Sequence, residues 1–262
     1  MEYVVVTGAY GGMGRATCKL LASRGYTVFA LDKKVFDKED GIIPIEVDVT
    51  SEQSVLNATS EIEKITPVIK AVIHYAGVYV LDSLVEMSEQ RFISAFNVNL
   101  FGVYRLNKAL IPLLKGGKII ITTSELAPLD PLPFTGVYAI TKSALDKYAY
   151  SLRMEVQLLD ISVSVIRAGA VETGLLNVST TELDKFISET KLYTCNAERF
   201  KKVVTSVEAK SVKPEKIASV SLKIVNSKRP RYVYNVNRNG LLLLLNALPK
   251  KLQTFIIKKI LK

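Results

Sequence analysis

The sequence predicts an α/β fold, a doubly wound parallel sheet of about seven strands flanked by helices. Two observations point there. Short runs rich in Val, Ile and Thr alternate with longer amphipathic stretches, the pattern of parallel strands joined by helical crossovers. The first such run passes straight into a glycine-rich turn that opens a helix. A third observation is negative: no internal repeat, low-complexity stretch or linker divides residues 1–262, so they read as a single domain. A hydrophobic content of 48% with 23% charged residues agrees with a chain that buries a large core.

The alternation places strands at residues 3–7, 27–31, 43–46, 68–73, 117–122, 162–167 and 231–234. It places helices at 13–23, 52–64, 90–114, 136–159 and 214–226. Residues 175–213 break the rhythm and read as a loop-rich insertion, a length that in a compact domain usually serves function. The two cysteines, Cys18 and Cys195, lie far apart and form no metal-ligand spacing, which suits a reducing compartment. No basic region followed by an apolar one opens the chain, and no apolar run is long enough to span a bilayer. A cytoplasmic protein is expected.

The first strand ends at Thr7-Gly8-Ala9-Tyr10-Gly11-Gly12-Met13-Gly14. Glycines at a strand-to-helix turn let the backbone approach a pyrophosphate, which the free N–H groups of the helix N-terminus stabilise. At the first strand of an alternating pattern, this predicts a dinucleotide site of the Rossmann type. Asp32 closes the second strand, eighteen residues past Gly14. A carboxylate there accepts both hydroxyls of an adenosine ribose and repels a 2′-phosphate, favouring NAD over NADP. Lys33 and Lys34 soften that repulsion, so NADP stays open. Asp48-Val49, after the third strand, reads either as a bracket for the adenine or, at Asp48, as a helix cap or turn.

Tyr138 and Lys142 stand four apart on a predicted helix and so share a face. A lysine's charge favours a phenolate, so Lys142 is expected to bring the tyrosine pKa down from about 10 toward neutrality. Ser124, fourteen residues before Tyr138, is placed to hold a carbonyl or alcohol oxygen beside the phenol.

Together these residues resemble the short-chain dehydrogenase/reductase family, in its single-domain branch, over nearly the whole chain. The glycine motif matches from Thr7 to Gly14, and Gly11 stands where NADP-preferring members often carry a basic residue. The resemblance implies four catalytic residues: Asn99 in Asn97-Val98-Asn99-Leu100-Phe101-Gly102, Ser124, Tyr138 and Lys142. It implies that Thr7, Gly8, Tyr10, Gly12, Met13, Gly14, Asp32, Lys33, Asp48, Val49, Ala76, Gly77, Tyr138, Lys142, Gly169, Val171 and Thr173 hold the dinucleotide. Three departures from the family pattern stand out. His74-Tyr75-Ala76-Gly77 replaces Asn-Asn-Ala-Gly, and His74, the only histidine, is expected to be structural. Ala168-Gly169 replaces Pro-Gly. Ser124 lies one residue further from Tyr138 than is usual, and the segment 127–133 is expected to absorb it, so Ser124 is preferred to Thr123.

The resemblance further implies hydride transfer between a nicotinamide and a secondary alcohol or ketone. Tyr138 would handle the proton, Ser124 would orient the oxygen, and Lys142 would bind the nicotinamide ribose. Asn99 would kink its helix and hold a water linking Lys142 to solvent. A homodimer or homotetramer packed through the helices of Asn99 and Tyr138 is implied. The rival is a dinucleotide-binding sensor without catalysis, although such relatives usually lose the tyrosine or lysine.

Residues 175–213 would cover the pocket as a lid. Leu175, Leu176, Phe186, Ile187, Leu192, Tyr193 and Phe200 give it an apolar side, suggesting a steroid-, retinoid- or lipid-like substrate, or else simply docking the lid on the core. The charge is uneven: residues 1–186 hold 18 Lys+Arg against 21 Asp+Glu, and residues 187–262 hold 17 against 4. In the tail, 240–262, Leu252, Ile256, Ile257, Ile260 and Leu261 cover one half of a helix with Lys251, Lys258 and Lys262 opposite, while Phe255 and Lys259 blur the boundary. Such a helix lies on an anionic membrane, covers the pocket or meets a subunit. Its long aliphatic runs suit nucleic acid poorly.

Overall fold

In the computed structural model seven parallel strands form one sheet: β1 (Glu2–Thr7), β2 (Tyr26–Asp32), β3 (Ile42–Glu46), β4 (Ala71–His74), β5 (Lys118–Thr122), β6 (Ser162–Ala168) and β7 (Val233–Val236). The structure describes residues 1–208 and 210–262, with the backbone alone at 174–180 and 207–208. The strand order is β3-β2-β1-β4-β5-β6-β7. The chain winds outward from β1 to β3 and then returns to the other side of β1. The order therefore reverses between β1 and β4, and a crevice opens beyond their carboxyl ends.

Alternate residues of each central strand feed two apolar layers, the period of two that a doubly covered sheet requires. Val5 and Phe29 face helices α2 (Glu52–Glu63), α4 (Gly102–Leu110) and α5 (Gly136–Val156), while Val4, Val6 and Val28 face α1 (Gly12–Ala22) and α8 (Pro214–Asn226). Ser51 caps α2, its hydroxyl accepting the Ser54 N–H.

Four boundaries differ from the sequence reading. β4 begins at Ala71 rather than 68, because the Thr66 hydroxyl bonds both the N–H and the carbonyl of Val68 and holds a turn there. β7 begins at Val233 rather than 231, because the Arg231 N–H donates to the Tyr234 hydroxyl and its carbonyl accepts from the Ser164 hydroxyl. The single helix expected over 90–114 is α3 (Glu89–Phe96), a π-helical turn (Asn97–Phe101), α4 and a 3₁₀ turn (Ile111–Leu113). α5 ends at Val156 and passes into a 3₁₀ turn (Gln157–Leu159).

The insertion at 175–213 is helical, not loop-rich. It forms α6 (Gly174–Glu189) and α7 (Thr194–Glu208). The buried face of α7 repeats at Ala197 and Phe200, with Tyr193 and Val204 half-buried in the same helical register. The tail forms two short helices, α9 (Gly240–Ala247) and α10 (Lys250–Leu261). A third cluster, Leu81, Leu183, Phe200 and Leu261 with Phe134 and Ile257 against it, packs lid and tail together.

Candidate active site

A cavity of about 860 Å³ lies beyond the carboxyl ends of the strands, running from the glycine turn after β1 to Tyr138 and Lys142. The chain's own turns shape its dinucleotide end. Gly8 has φ +63, and a Cβ there would meet the Ala76 backbone nitrogen at 2.6 Å, so the turns after β1 and β4 touch only because Gly8 has no side chain. A Cβ on Gly12 would meet Thr173 Cγ2 at 2.6 Å, which seats the turn after β6 on the start of α1. The Thr7 hydroxyl accepts the Ala76 N–H at 3.3 Å. Met13, Val171 and Gly169 line the same cavity.

At the other end of the turn, Asp32 accepts the Tyr10 N–H at 2.9 Å and the Lys33 N–H at 2.8 Å. Those bonds aim its carboxylate into the cavity beside Phe36, whose ring packs on Tyr10 with centroids 4.9 Å apart. Lys33 does not stand free to soften that charge. Its ammonium pairs with Asp48 at 2.9 Å. Asp48 also accepts the N–H and hydroxyl of Thr50, so its carboxyl is held down at about 2 by Lys33 and Thr50. The structure thus gives Asp48 the turn role, while Val49 packs against Gly102 and both residues line the cavity wall. A cleft with a glycine turn at a helix N-terminus and a carboxylate at the next strand end fits a dinucleotide.

Four residues meet at the other end. Ser124 and Tyr138 are both buried, and the serine hydroxyl lies near enough to pull the phenol's pKa down. Thr123 points away, its hydroxyl 3.4 Å from Asp146, so Ser124 is the hydroxyl that faces the phenol. The Lys142 ammonium lies 5.8 Å from the Tyr138 ring centroid and donates to the Thr122 carbonyl at 3.3 Å. Gly77 lies in the gap beside them, where a Cβ would be 3.1 Å from Asn99 Oδ1 and 3.5 Å from the lysine nitrogen.

The electrostatics differ from the sequence expectation. Burial pushes the Tyr138 phenol up to about 12 against the opposing pull of the Ser124 hydroxyl, and Glu125 adds to the rise. Burial brings Lys142 down to about 8. Desolvation thus outweighs the pull of Ser124, and the net shift of the phenol is upward, not downward.

Asn99 sits in the π-helical turn, which is the expected kink. Its oxygen accepts the Val78 N–H at 2.8 Å, and its amide donates at 3.0 Å to both the Val78 carbonyl and the Thr141 hydroxyl. The side chain ties the turn after β4 to α5.

His74 is buried with Nε2 2.9 Å from Asn107 Oδ1, and burial brings its pKa down to about 4. Tyr75 turns away toward α1 and α8, bonding Thr17 at 2.9 Å and Ser221 at 2.6 Å. Both are structural replacements for the asparagines of the family pattern.

The sequence reading missed several lining residues. Tyr79 packs edge-on against Tyr138, ring centroids 4.5 Å apart, and its place two residues after Gly77 was the available signal. Glu125 is buried beside Ser124 and accepts the Asn239 N–H at 2.6 Å. Burial raises its pKa. An acid at the carboxyl end of a central strand was the signal there. From lid and tail, Phe200, Val203, Val204 and Leu242 complete the apolar wall. Phe186 also packs tilted on Phe134, centroids 4.7 Å apart, while Phe200 and Tyr193 meet it edge-on at 5.5 and 5.3 Å. These rings dock the lid. Ile187 is half-buried, Leu192 is exposed, and Leu175 and Leu176 lie outside the described side chains.

Residues 2–184 match the short chain dehydrogenase family. The chain belongs to that family. As a short-chain dehydrogenase it is an NAD(P)-dependent oxidoreductase. It is 25% identical over 233 residues to a 3-ketodihydrosphingosine reductase of Bacteroides thetaiotaomicron, covering 88% of this chain and 86% of that one. It is 34% identical over 187 residues to mouse estradiol 17-beta-dehydrogenase 2, covering 66% of this chain and 49% of that one. Among solved structures, an alcohol dehydrogenase from the archaeon Thermococcus sibiricus, complexed with 5-hydroxy-NADP, superposes with a TM-score of 0.71 at 25% identity, covering 90% of this short-chain dehydrogenase and 95% of that chain.

Proposed function

We propose that this short-chain dehydrogenase interconverts a hydrophobic secondary alcohol and its ketone, a steroid-, retinoid- or lipid-like molecule, using NAD. One observation carries the reading. Ser124, Tyr138 and Lys142 line one cavity together with the apolar Phe200, Val203, Val204 and Leu242 of lid and tail. The relatives named for a ketosphingoid base and a steroid point to the same substrate class.

The glycine turn and the first N–H groups of α1 would hold the pyrophosphate, Asp32 the adenosine ribose hydroxyls, and Val171, Thr173 and Lys142 the nicotinamide end. Bound there, the nicotinamide supplies or accepts the hydride. Ser124 donates to the substrate oxygen and holds it against the Tyr138 hydroxyl. With its pKa at about 12 the phenol carries its proton at neutral pH, the form that delivers it to a ketone oxygen. In the reverse direction the phenol first gives its proton to solvent, and the phenolate, stabilised by the buried Lys142 ammonium, then takes the alcohol proton. Asn99 acts by position, holding the turn after β4 against α5.

Asp32 and the engagement of Lys33 by Asp48 support NAD over NADP. Phe101 and Tyr104 at α4, with Tyr150 and Met154 on α5, are large exposed side chains on adjoining helices. They support a homodimer or homotetramer packed there.

A panel of secondary alcohols of increasing chain length, followed by NADH absorbance with NADP in parallel, tests the reading. Turnover should rise with apolar size and be greater with NAD. Turnover confined to small polar alcohols would sink the substrate assignment, and preference for NADP the argument from Asp32.

A further inference from the structure

We propose that α9 and α10 dock on the surface of an anionic phospholipid bilayer and open the cavity toward it. The apolar half expected of the tail helix divides in the fold. Ile257 and Leu261 turn inward onto the lid, where Asn196 also bonds the Leu261 carbonyl at 2.6 Å. Gln253 ties α10 to the end of α9 through the Asn246 and Leu248 carbonyls. Held in this way, α10 leaves Leu252, Phe255 and Ile260 in solvent at 43%, 62% and 53% exposure. On α9, Leu241 and Leu244 are 72% and 63% exposed.

The charge identifies the occupant. Residues 240–262 carry five lysines and no acid. Lys250 pairs with Asp130, whereas Lys251, Lys258, Lys259 and Lys262 form no ion pair among the described residues. A second copy would bring the same lysines against them. An anionic lipid surface satisfies both the apolar side chains and the surplus charge. With 8 and 12 residues, the two helices are too short to span a bilayer, so they lie in its surface.

Leu242 stands between the two exposed leucines and lines the cavity. One face of α9 therefore meets lipid while its neighbouring side chain meets the substrate space. This consequence for substrate entry rests on the hydrophobic-substrate reading. The docking does not.

Flotation of the full chain with vesicles tests it. The chain should float with phosphatidylcholine vesicles holding roughly one-third phosphatidylserine, but not with phosphatidylcholine alone. Binding should be mostly lost at about 1 M salt, where charges are screened. L244Q/F255Q and K251Q/K258Q/K262Q should each cut the bound fraction severalfold, with circular dichroism and turnover of a short soluble alcohol unchanged. Three outcomes would overturn the proposal: no flotation of the wild type with anionic vesicles, equal flotation with neutral ones, or a fall in light-scattering mass for L244Q/F255Q showing that a second copy covers the patch. Flotation is independent of turnover, so it separates this proposal from the enzymatic one.

Discussion

The Glu125 carboxylate accepts the backbone N–H of Asn239 at 2.6 Å, joining the residue beside Ser124 to the N-cap of α9. Asn239 in turn accepts the N–H groups of Leu241 and Leu242 through its side chain. One carboxylate therefore sets where Leu242 enters the cavity. Replacing Glu125 with Ala should cost about 1–3 kcal/mol, the range for a buried hydrogen-bonding group left unpaired, and should raise KM more than it lowers kcat. Glu125→Gln keeps an acceptor and removes the buried charge. Because burial raises the Glu125 pKa, its contribution to stability is fully present below the unfolded carboxylate range and is lost as pH rises through the folded value. Urea melts should show wild type losing stability relative to Glu125→Gln across that rise. An identical pH profile for the two would remove the carboxylate from this account.

Replacing Tyr138 with Phe removes the phenol hydroxyl proposed to exchange a proton with the substrate oxygen. kcat should fall by about 10²–10⁴, the usual worth of a positioned acid–base group, with dinucleotide affinity preserved by fluorescence titration. Retained turnover would show that Tyr138 is not the group that handles the proton, whereas dinucleotide binding without turnover in the wild type would return the chain to the sensor reading.

The sheet and the glycine turn were legible because their signals are local: a period of two in each strand and turn residues at set offsets. The lid was not, although Tyr193, Ala197, Phe200 and Val204 repeat at a helical spacing, because their apolar character reads equally as pocket lining. Both uses occur: Phe200 is in the buried cluster and also on the cavity wall. Glu125 carried only a slight sequence signal, an acid at the carboxyl end of a central strand. Its importance comes from burial between β5, Gly169 and the tail, which only the assembled fold brings together. The same holds for Tyr138, where proximity to Lys142 suggested a lowered pKa and burial produced a raised one.

Coenzyme choice rests on Asp32. Asp32→Ala should raise kcat/KM with NADP and lower it with NAD, shifting the ratio by about 10-fold or more, the worth of a hydrogen bond to a charged group. Lys33→Ala frees Asp48 and should change the ratio far less, because its ammonium already has a partner. Parallel kinetics with both coenzymes check the pair of variants. A larger effect at Lys33 than at Asp32 would reverse the assignment.

Glu86 holds the elbow between α6 and α7. Its carboxylate accepts the Thr190 hydroxyl at 2.7 Å and the N–H groups of Lys191 and Leu192 at 2.8 and 3.1 Å. Nearby, Arg91 bridges Asp82 and Glu182 of the lid. Glu86→Ala should leave the elbow open to limited proteolysis near Leu192 and raise KM for apolar substrates, with little change in melting temperature. Resistance to cleavage equal to wild type would show that the aromatic cluster around Phe134 holds the lid unaided.

His74 gives the clearest pH prediction. Burial brings its folded pKa down to about 4 from the ordinary 6.5, and Nδ1 has no hydrogen-bond partner among the described residues. Between those values the unfolded chain binds the proton and the folded chain does not. The stability contributed is therefore complete above about 6.5 and is lost as pH falls toward 4, a change on the order of a few kcal/mol. His74→Asn removes the titrating group and keeps an amide able to reach Asn107. Denaturant melts at pH 7 and pH 5 should show wild type losing more stability than the variant. Equal losses would place the acid sensitivity elsewhere, on carboxylates such as Asp48 and Glu86, whose pKa values are lowered and whose contributions are lost only as pH falls below the carboxylate range.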